Sequence, residues 1–280
     1  MKRFLVLLCG LLLLFLPVRG AQPEKLVALT FDDGPSGRFT QALLDGLAQR
    51  NVRATFLLCG YRMAQYPALT ARIQQAGHEI GLHGYSHKAM DTMCQRDLYQ
   101  EIDQTMALLP AGCRAAFLRP PGGQSNALTR CVAQDRDLSL LLWSVDPRDW
   151  ATDDATAVTS AVVCQVRDGD VILLHDMSDS SVKAALDIVD RLTAQGFRFV
   201  TASELARARN IQLRPGSTYC RFSCAHWASA RYTSSGICRP LRPLPRGLPG
   251  LFSPWKSEPP DSSSPNSRAI SPANASVSGS

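Results

Sequence analysis

From Lys25 to about Arg209 the chain alternates short apolar runs with longer amphipathic stretches, and that alternation limits the folds open to it. Seven runs recur: "KLVALTF", "ATFLLCG", "HEIGL", "AAFLR", "LSLLLW", "DVILLH" and "FRFVT". Between them, stretches such as "QRDLYQEIDQTMALL" place Leu98, Ile102, Thr105, Met106 and Leu109 at helical spacing. Strands that alternate with helices build a parallel sheet, and runs apolar on both faces require cover on both sides. No glycine-rich dinucleotide fingerprint follows the first run. The expectation is therefore an α/β fold, a closed or nearly closed β/α barrel of about seven parallel strands, rather than an open sheet.

The two ends differ from this middle. The opening "MKRFLVLLCGLLLLFLPVRGAQ" has a charged start (Lys2, Arg3), an apolar stretch from Phe4 to Leu16 and small residues near Gly20 and Ala21. Residues 1–21 read as a secretory signal peptide, with retention as an anchor the alternative. Cys9 lies inside the apolar stretch, which argues against a lipoprotein anchor. Residues 207–280 hold ten of the 18 prolines and ten basic against two acidic residues, whereas residues 21–206 hold 17 basic against 22 acidic. The formal charge of +6 thus belongs to the ends. A mildly acidic folded part excludes a nucleic-acid-binding domain. The expected division is a domain over 22–210 and a disordered, basic Pro/Ser-rich tail over 211–280. Nine cysteines permit no assignment of disulfides. The tail's Cys220, Cys224, His226 and Cys238 fit no common zinc spacing.

Reactive side chains follow five of the seven runs. Asp32 and Asp33 follow the first, His83 and His87 of "HGYSH" the third, and Arg119 of "RPPGG" the fourth. Asp146, Asp149 and Trp150 of "SVDPRDW" follow the fifth, and His175 with Asp176 ends the sixth. In a β/α barrel the C-terminal strand ends are where active sites assemble. Adjacent carboxylates repel, and a cation quiets them. Two histidines four apart plus one carboxylate make the donor set of a catalytic zinc with an open position. A carboxylate beside such a ligand can serve as base, and a histidine across the site as acid. Asp146 reads as a cap for the turn at Pro147, Asp176 as a turn or supporting residue, and His78 and Trp143 as structural.

The motifs "TFDDGP", "HGYSH", "RPPGG", "DPRDW" and "VILLHD", in this order and spacing, resemble the polysaccharide deacetylase family (the NodB-homology domain, carbohydrate esterase family four). The likeness covers about residues 25–209. It implies a distorted β/α barrel that removes acetyl groups from N-acetylated sugars of chitin or peptidoglycan, or from O-acetylated xylan, with one divalent metal ion, zinc or else cobalt. It implies Asp33, His83 and His87 as metal ligands and Asp32 as general base. It implies Arg119 orienting Asp32, His175 as general acid and Asp149 tuning His175. The backbone N–H of Gly122 would hold the oxyanion, and Trp150 and Leu173 would line the acetyl pocket. An acetylated glycan is the expected partner. A monomer is expected, secreted or associated with the cell wall, with membrane contact only through an uncleaved leader.

Two positions depart from the family pattern. Gly84 stands where Ser or Thr usually follows the first histidine, so loop rigidity must come from elsewhere, with Tyr85 the candidate. Gly122 stands where an aromatic residue usually faces substrate, which bears on substrate class more than on reaction. An O-acetyl esterase and a catalytically silent carbohydrate-binding relic are the alternative readings. The presence of Asp32, all three ligands and His175 weighs against the relic.

Overall fold

The computed structural model describes residues 24–223; the expected leader and residues 224–280 lie outside the described residues. Within that span all seven expected strands form: β1 (Lys25–Asp32), β2 (Thr55–Leu58), β3 (Glu79–Leu82), β4 (Phe117–Leu118), β5 (Ser139–Leu141), β6 (Val171–His175) and β7 (Phe197–Phe199). An eighth, β8 (Thr218–Tyr219), joins them. The intervening helices are α1 (Gly37–Gln49), α2 (Gly60–Gln65), α3 (Pro67–Gln75), α4 (Gln95–Met106), α5 (Ala127–Asp135), α6 (Ala155–Gln165), α7 (Asp179–Ala194) and α8 (Ala202–Ala208). No helix among the described residues is long and apolar enough to cross a membrane.

The strands pair in parallel in the order β6-β1-β2-β3-β4-β5-β8, and β7 pairs with the first residues of β1. The ring closes irregularly. Val145, just past β5, bridges Ile172 of β6, and Arg221, just past β8, bridges Asp170 before β6. The result is the distorted barrel expected.

Alternation along β1 explains the two-sided core. Val27, Leu29 and Phe31 face outward and pack with Leu43 and Leu47 of α1 and with Ile188 and Leu192 of α7. Leu26 and Ala28 face inward with Leu57, Phe117, Leu141 and Val171. The inward row continues as Thr30 and Asp32, both buried. The barrel is thus apolar below and polar at the C-terminal rim, because side chains two apart on a strand share a face.

The expected boundary at 210 is corrected: residues 211–223 belong to the domain. The N–H of Leu140 donates to Ser217 O (2.8 Å) and that of Leu142 to Tyr219 O (2.7 Å). Phe222 is fully buried, stacks on Tyr219 at 5.6 Å and packs in the inner core cluster. Arg221 Nε and Ser144 Oγ both donate to the buried Asp170 carboxylate, at 2.5 and 2.6 Å. Pro215 precedes the strand, so the ladder loses no donor. Composition hid β8, because two residues of strand cannot outweigh a Pro/Ser-rich surrounding.

Deleting the Phe222 ring should therefore open the barrel seam. Phe222→Ala in the full chain is expected to lower unfolding free energy by about 3–5 kcal/mol in denaturant titration. A loss below about 1 kcal/mol would show that the seam does not depend on it.

Candidate active site

Every site residue expected from the sequence except Leu173 lies at or beyond the C-terminal end of a strand. Asp32 ends β1, His83 follows β3, Arg119 follows β4 and His175 ends β6. Asp149 opens a short 3-10 turn, Asp149–Ala151, after β5. Leu173 is buried in β6, whereas Trp150 stands 49% exposed on the rim. Gly122 adopts φ 66°, and a Cβ there would meet no heavy atom within 4 Å, so its side of the site is open.

Asp33, His83 and His87 offer three ligand atoms, all within 4.8 Å of one another. Asp33 Oδ1 lies 3.2 Å from His83 Nε2 and 3.0 Å from His87 Nε2. That oxygen is buried and makes no hydrogen bond. Burial opposes charge on Asp33, yet the two imidazoles hold its carboxyl well below the usual range. The Asp33 carboxylate in turn raises the pKa of His87, outweighing burial. His83 Nδ1 lies 2.6 Å from the carbonyl of Arg119, which can only accept, so Nδ1 carries the proton and Nε2 is left to coordinate. An orphaned buried carboxylate oxygen facing two ring nitrogens fits a divalent cation. Two of these three residues sit on left-handed backbone, Asp33 at φ 72° and His87 at φ 57°. For residues other than glycine that conformation costs about 1–3 kcal/mol each, a cost found where surrounding contacts fix a functional geometry.

Glu101 of α4 fixes the loop between the two histidines, a role the sequence reading did not identify. Its Oε2 accepts the N–H groups of Tyr85 (2.7 Å) and Ser86 (2.8 Å), and its Oε1 accepts the Ser86 hydroxyl (2.6 Å). From the other side, Gly60 and Tyr61 N–H donate to the carbonyls of Gly84 (2.9 Å) and Tyr85 (3.0 Å). Gly84 has φ 76°, and a Cβ there would come 2.8 Å from Met90 Cε. The loop is thus held by Glu101 acting on the Tyr85 backbone, which corrects the expectation placed on Tyr85 itself. A signal was present in the sequence: Glu101 falls three residues after Leu98 and four before Thr105, a carboxylate inside the buried stripe of α4.

The remaining groups form two opposed pairs. Arg119, fully buried, donates from one terminal nitrogen to Asp32 Oδ1 (2.5 Å) and Thr30 Oγ1 (2.9 Å). Its other two nitrogens donate to the carbonyls of Leu141 (2.7 Å) and Leu142 (3.0 Å). Asp149 accepts His175 Nδ1 at Oδ1 and the His175 backbone N–H at Oδ2, both at 2.9 Å. Burial opposes protonation of His175, but Asp149, with Asp33 and Asp32 beyond it, raises its pKa to about 9. The imidazole is therefore an imidazolium at neutral pH, able to donate a proton. Asp146 caps its turn by accepting Arg148 N–H (2.8 Å), as expected. Asp176 is fully buried, accepts the Thr40 hydroxyl, and is pushed up to about 7 by burial. It underlies Gly34, where a Cβ would come 2.5 Å from its Oδ1.

Two outcomes follow from this geometry. Asp149→Asn removes the charge that holds the His175 proton, so the His175 titration followed by NMR should move down by at least ~1 pH unit; an unmoved midpoint would refute the pairing. Glu101→Gln leaves shape but removes the doubly accepting carboxylate. Zinc affinity by calorimetry should fall about tenfold or more, and an unchanged affinity would show the loop to be held otherwise.

The family model described as polysaccharide deacetylase matches residues 19–141. A peptidoglycan-N-acetylglucosamine deacetylase of Bacillus cereus is 36% identical over 193 residues, covering 67% of this chain and 91% of that protein. Peptidoglycan-N-acetylglucosamine deacetylase PgdA of Listeria monocytogenes is 35% identical over 187 residues, which are 66% of this chain and 40% of the relative's length. A family 4 acetyl xylan esterase from Clostridium thermocellum, solved in complex with a cobalt ion, superposes with a TM-score of 0.66 at 33% identity, covering 70% of this chain and 98% of that one. With the motifs and the barrel in agreement, the chain belongs to the polysaccharide deacetylase family.

Proposed function

We propose that this chain is a metal-dependent hydrolase that removes acetyl groups from N-acetylated sugars of a glycan, peptidoglycan ahead of chitin-like oligomers. One observation carries the reading: a carboxylate held by Arg119 and an imidazolium held by Asp149 stand beside a cation-fitting Asp-His-His cluster. A buried carboxylate held by a guanidinium, opposite a protonated imidazole, suits the base and acid steps of amide hydrolysis. The names of the Bacillus and Listeria relatives support the peptidoglycan substrate. The leader over 1–21 would place the enzyme outside the cell, secreted or at the wall.

Asp33, His83 and His87 would hold the ion, zinc first and cobalt second. Such an ion supplies the Lewis acidity that polarises an acetyl carbonyl and makes water nucleophilic near neutral pH. Asp32, aimed by Arg119, accepts the proton that the attacking water loses as its oxygen bonds to the carbonyl carbon. The Gly122 N–H donates to the oxyanion that develops on the former carbonyl. Trp150 and Leu173 flank the acetyl methyl. His175 Nε2–H then protonates the sugar nitrogen, the C–N bond breaks, and acetate and a free amine leave. Proton transfer at each end is worth about 10²–10⁴ in rate. An O-acetyl esterase acting on xylan is the second reading, supported by the open space at Gly122 and the superposition on the Clostridium esterase.

The test is acetate release by the purified full chain from peptidoglycan, N-acetylated chitooligosaccharide and acetylated xylan. Release from the first two should vanish with chelator and return with zinc, and Asp32→Asn should reduce it by about 10²-fold or more. Full activity after complete metal removal would overturn the mechanism. Release from xylan alone would replace the reading by the esterase.

A further inference from the structure

Among the described residues only two large apolar side chains are exposed, Tyr61 at 40% and Trp150 at 49%. Both adjoin backbone that carries residues of the candidate site. Tyr61 is the second residue of α2 and its N–H bonds the loop between His83 and His87 at Tyr85 O; Trp150 follows Asp149, the partner of His175. Each ring carries an arginine. The Arg62 guanidinium lies 5.3 Å from the Tyr61 ring centre and its Nε donates to the Tyr61 hydroxyl (3.1 Å). The Arg148 guanidinium lies 5.0 Å from the Trp150 ring centre. Arg148 sits on left-handed backbone, φ 57°, with its N–H capped by Asp146, so its turn is held against its intrinsic preference.

Neither arginine forms an ion pair among the described residues, whereas exposed Arg38 and half-buried Arg50 and Arg136 pair with Asp179, Asp190 and Asp103. Aromatic rings at a glycan site stack on the apolar faces of sugars. A guanidinium parked on such a ring is preorganised, and its planar fork matches a carboxylate. A neutral glycan gives two such forks nothing to bind.

We propose that Arg62 and Arg148 are specificity residues. On the deacetylase reading above, they recognise a carboxylate on the lactyl side chain of a sugar neighbouring the acetylated one, either the lactyl acid itself or a stem peptide attached to it. The site thereby selects an anionic glycan over neutral chitin-like or xylan-like chains.

Four tetrasaccharides test this. One has alternating N-acetylglucosamine and N-acetylmuramic acid with free lactyl carboxylates, and the second has those carboxyls amidated. The third carries stem peptides, and the fourth is neutral N-acetylchitotetraose. The wild-type kcat/KM should favour the carboxylate substrates over the amidated one by about tenfold. That preference should shrink as sodium chloride rises from about 50 to 300 mM. Arg62→Gln and Arg148→Gln should each reduce the ratio about three- to fivefold, mainly through KM, as an exposed ion pair allows. The double variant should bring the ratio to about one, and Arg148→Lys should restore part of it. The free-acid and peptide arms assign which carboxylate is read. A wild-type ratio near one, or variants that slow charged and amidated substrates in parallel, overturns the proposal while leaving the deacetylase reading intact. Acetate from none of the four overturns that reading as well.

Discussion

A guanidinium with no exposed surface lies across the top of this barrel, and the site is organised by what that charge requires. Burying a charge is costly unless every donor is matched, and truncating one partner of such a pair costs about 3–5 kcal/mol. Arg119 meets the requirement with the Asp32 carboxylate, the Thr30 hydroxyl and two carbonyls at the end of β5, so one side chain ties β1 to that strand end. Its own carbonyl meanwhile fixes the ring of His83. Position 119 therefore fixes Asp32 and His83 at once. Asp32 is as much a folding partner of the barrel as a chemical group within it.

The adjacent pair Asp32 and Asp33 becomes intelligible in these terms. The inward row of β1 carries Leu26, Ala28, Thr30 and Asp32, and Asp33 then leaves the strand on left-handed backbone. The two carboxylates face different counterions: a guanidinium for Asp32 and two imidazoles for Asp33. Across the site His175 is drawn the other way by Asp149. The two neighbouring carboxylates thus differ in their partners, not in their chemistry.

Much of this was legible in the sequence, for reasons specific to each part. Strands buried on both faces leave continuous apolar runs, so β1 to β7 were visible, and reactive residues after five of them located the rim. What escaped depends on contacts between distant segments. β8 is too short to register within Pro/Ser-rich surroundings, and Phe222 becomes a core residue only once the seam between β5 and β6 exists. Glu101 stands as a carboxylate within the buried stripe of α4, but its partners, the Tyr85 and Ser86 N–H groups, come to it only through the fold. The left-handed conformations of Asp33 and His87 belong to loops whose shape other elements dictate.

The late position of β8 has a consequence for how the chain comes into being. The rim residues from Asp32 to His175 have all been synthesised once His175 has emerged, yet the seam needs Arg221 and Phe222, which arrive later still. Residues at the start and end of the domain meet through Asp168, which bonds the Leu26 N–H and pairs with Arg209, and Gly169, whose carbonyl accepts Phe222 N–H. Such long-range pairings make folding slow, because loop closure must precede the contacts that reward it. During synthesis the growing chain therefore carries every one of these rim residues before the strand that completes the sheet is delivered.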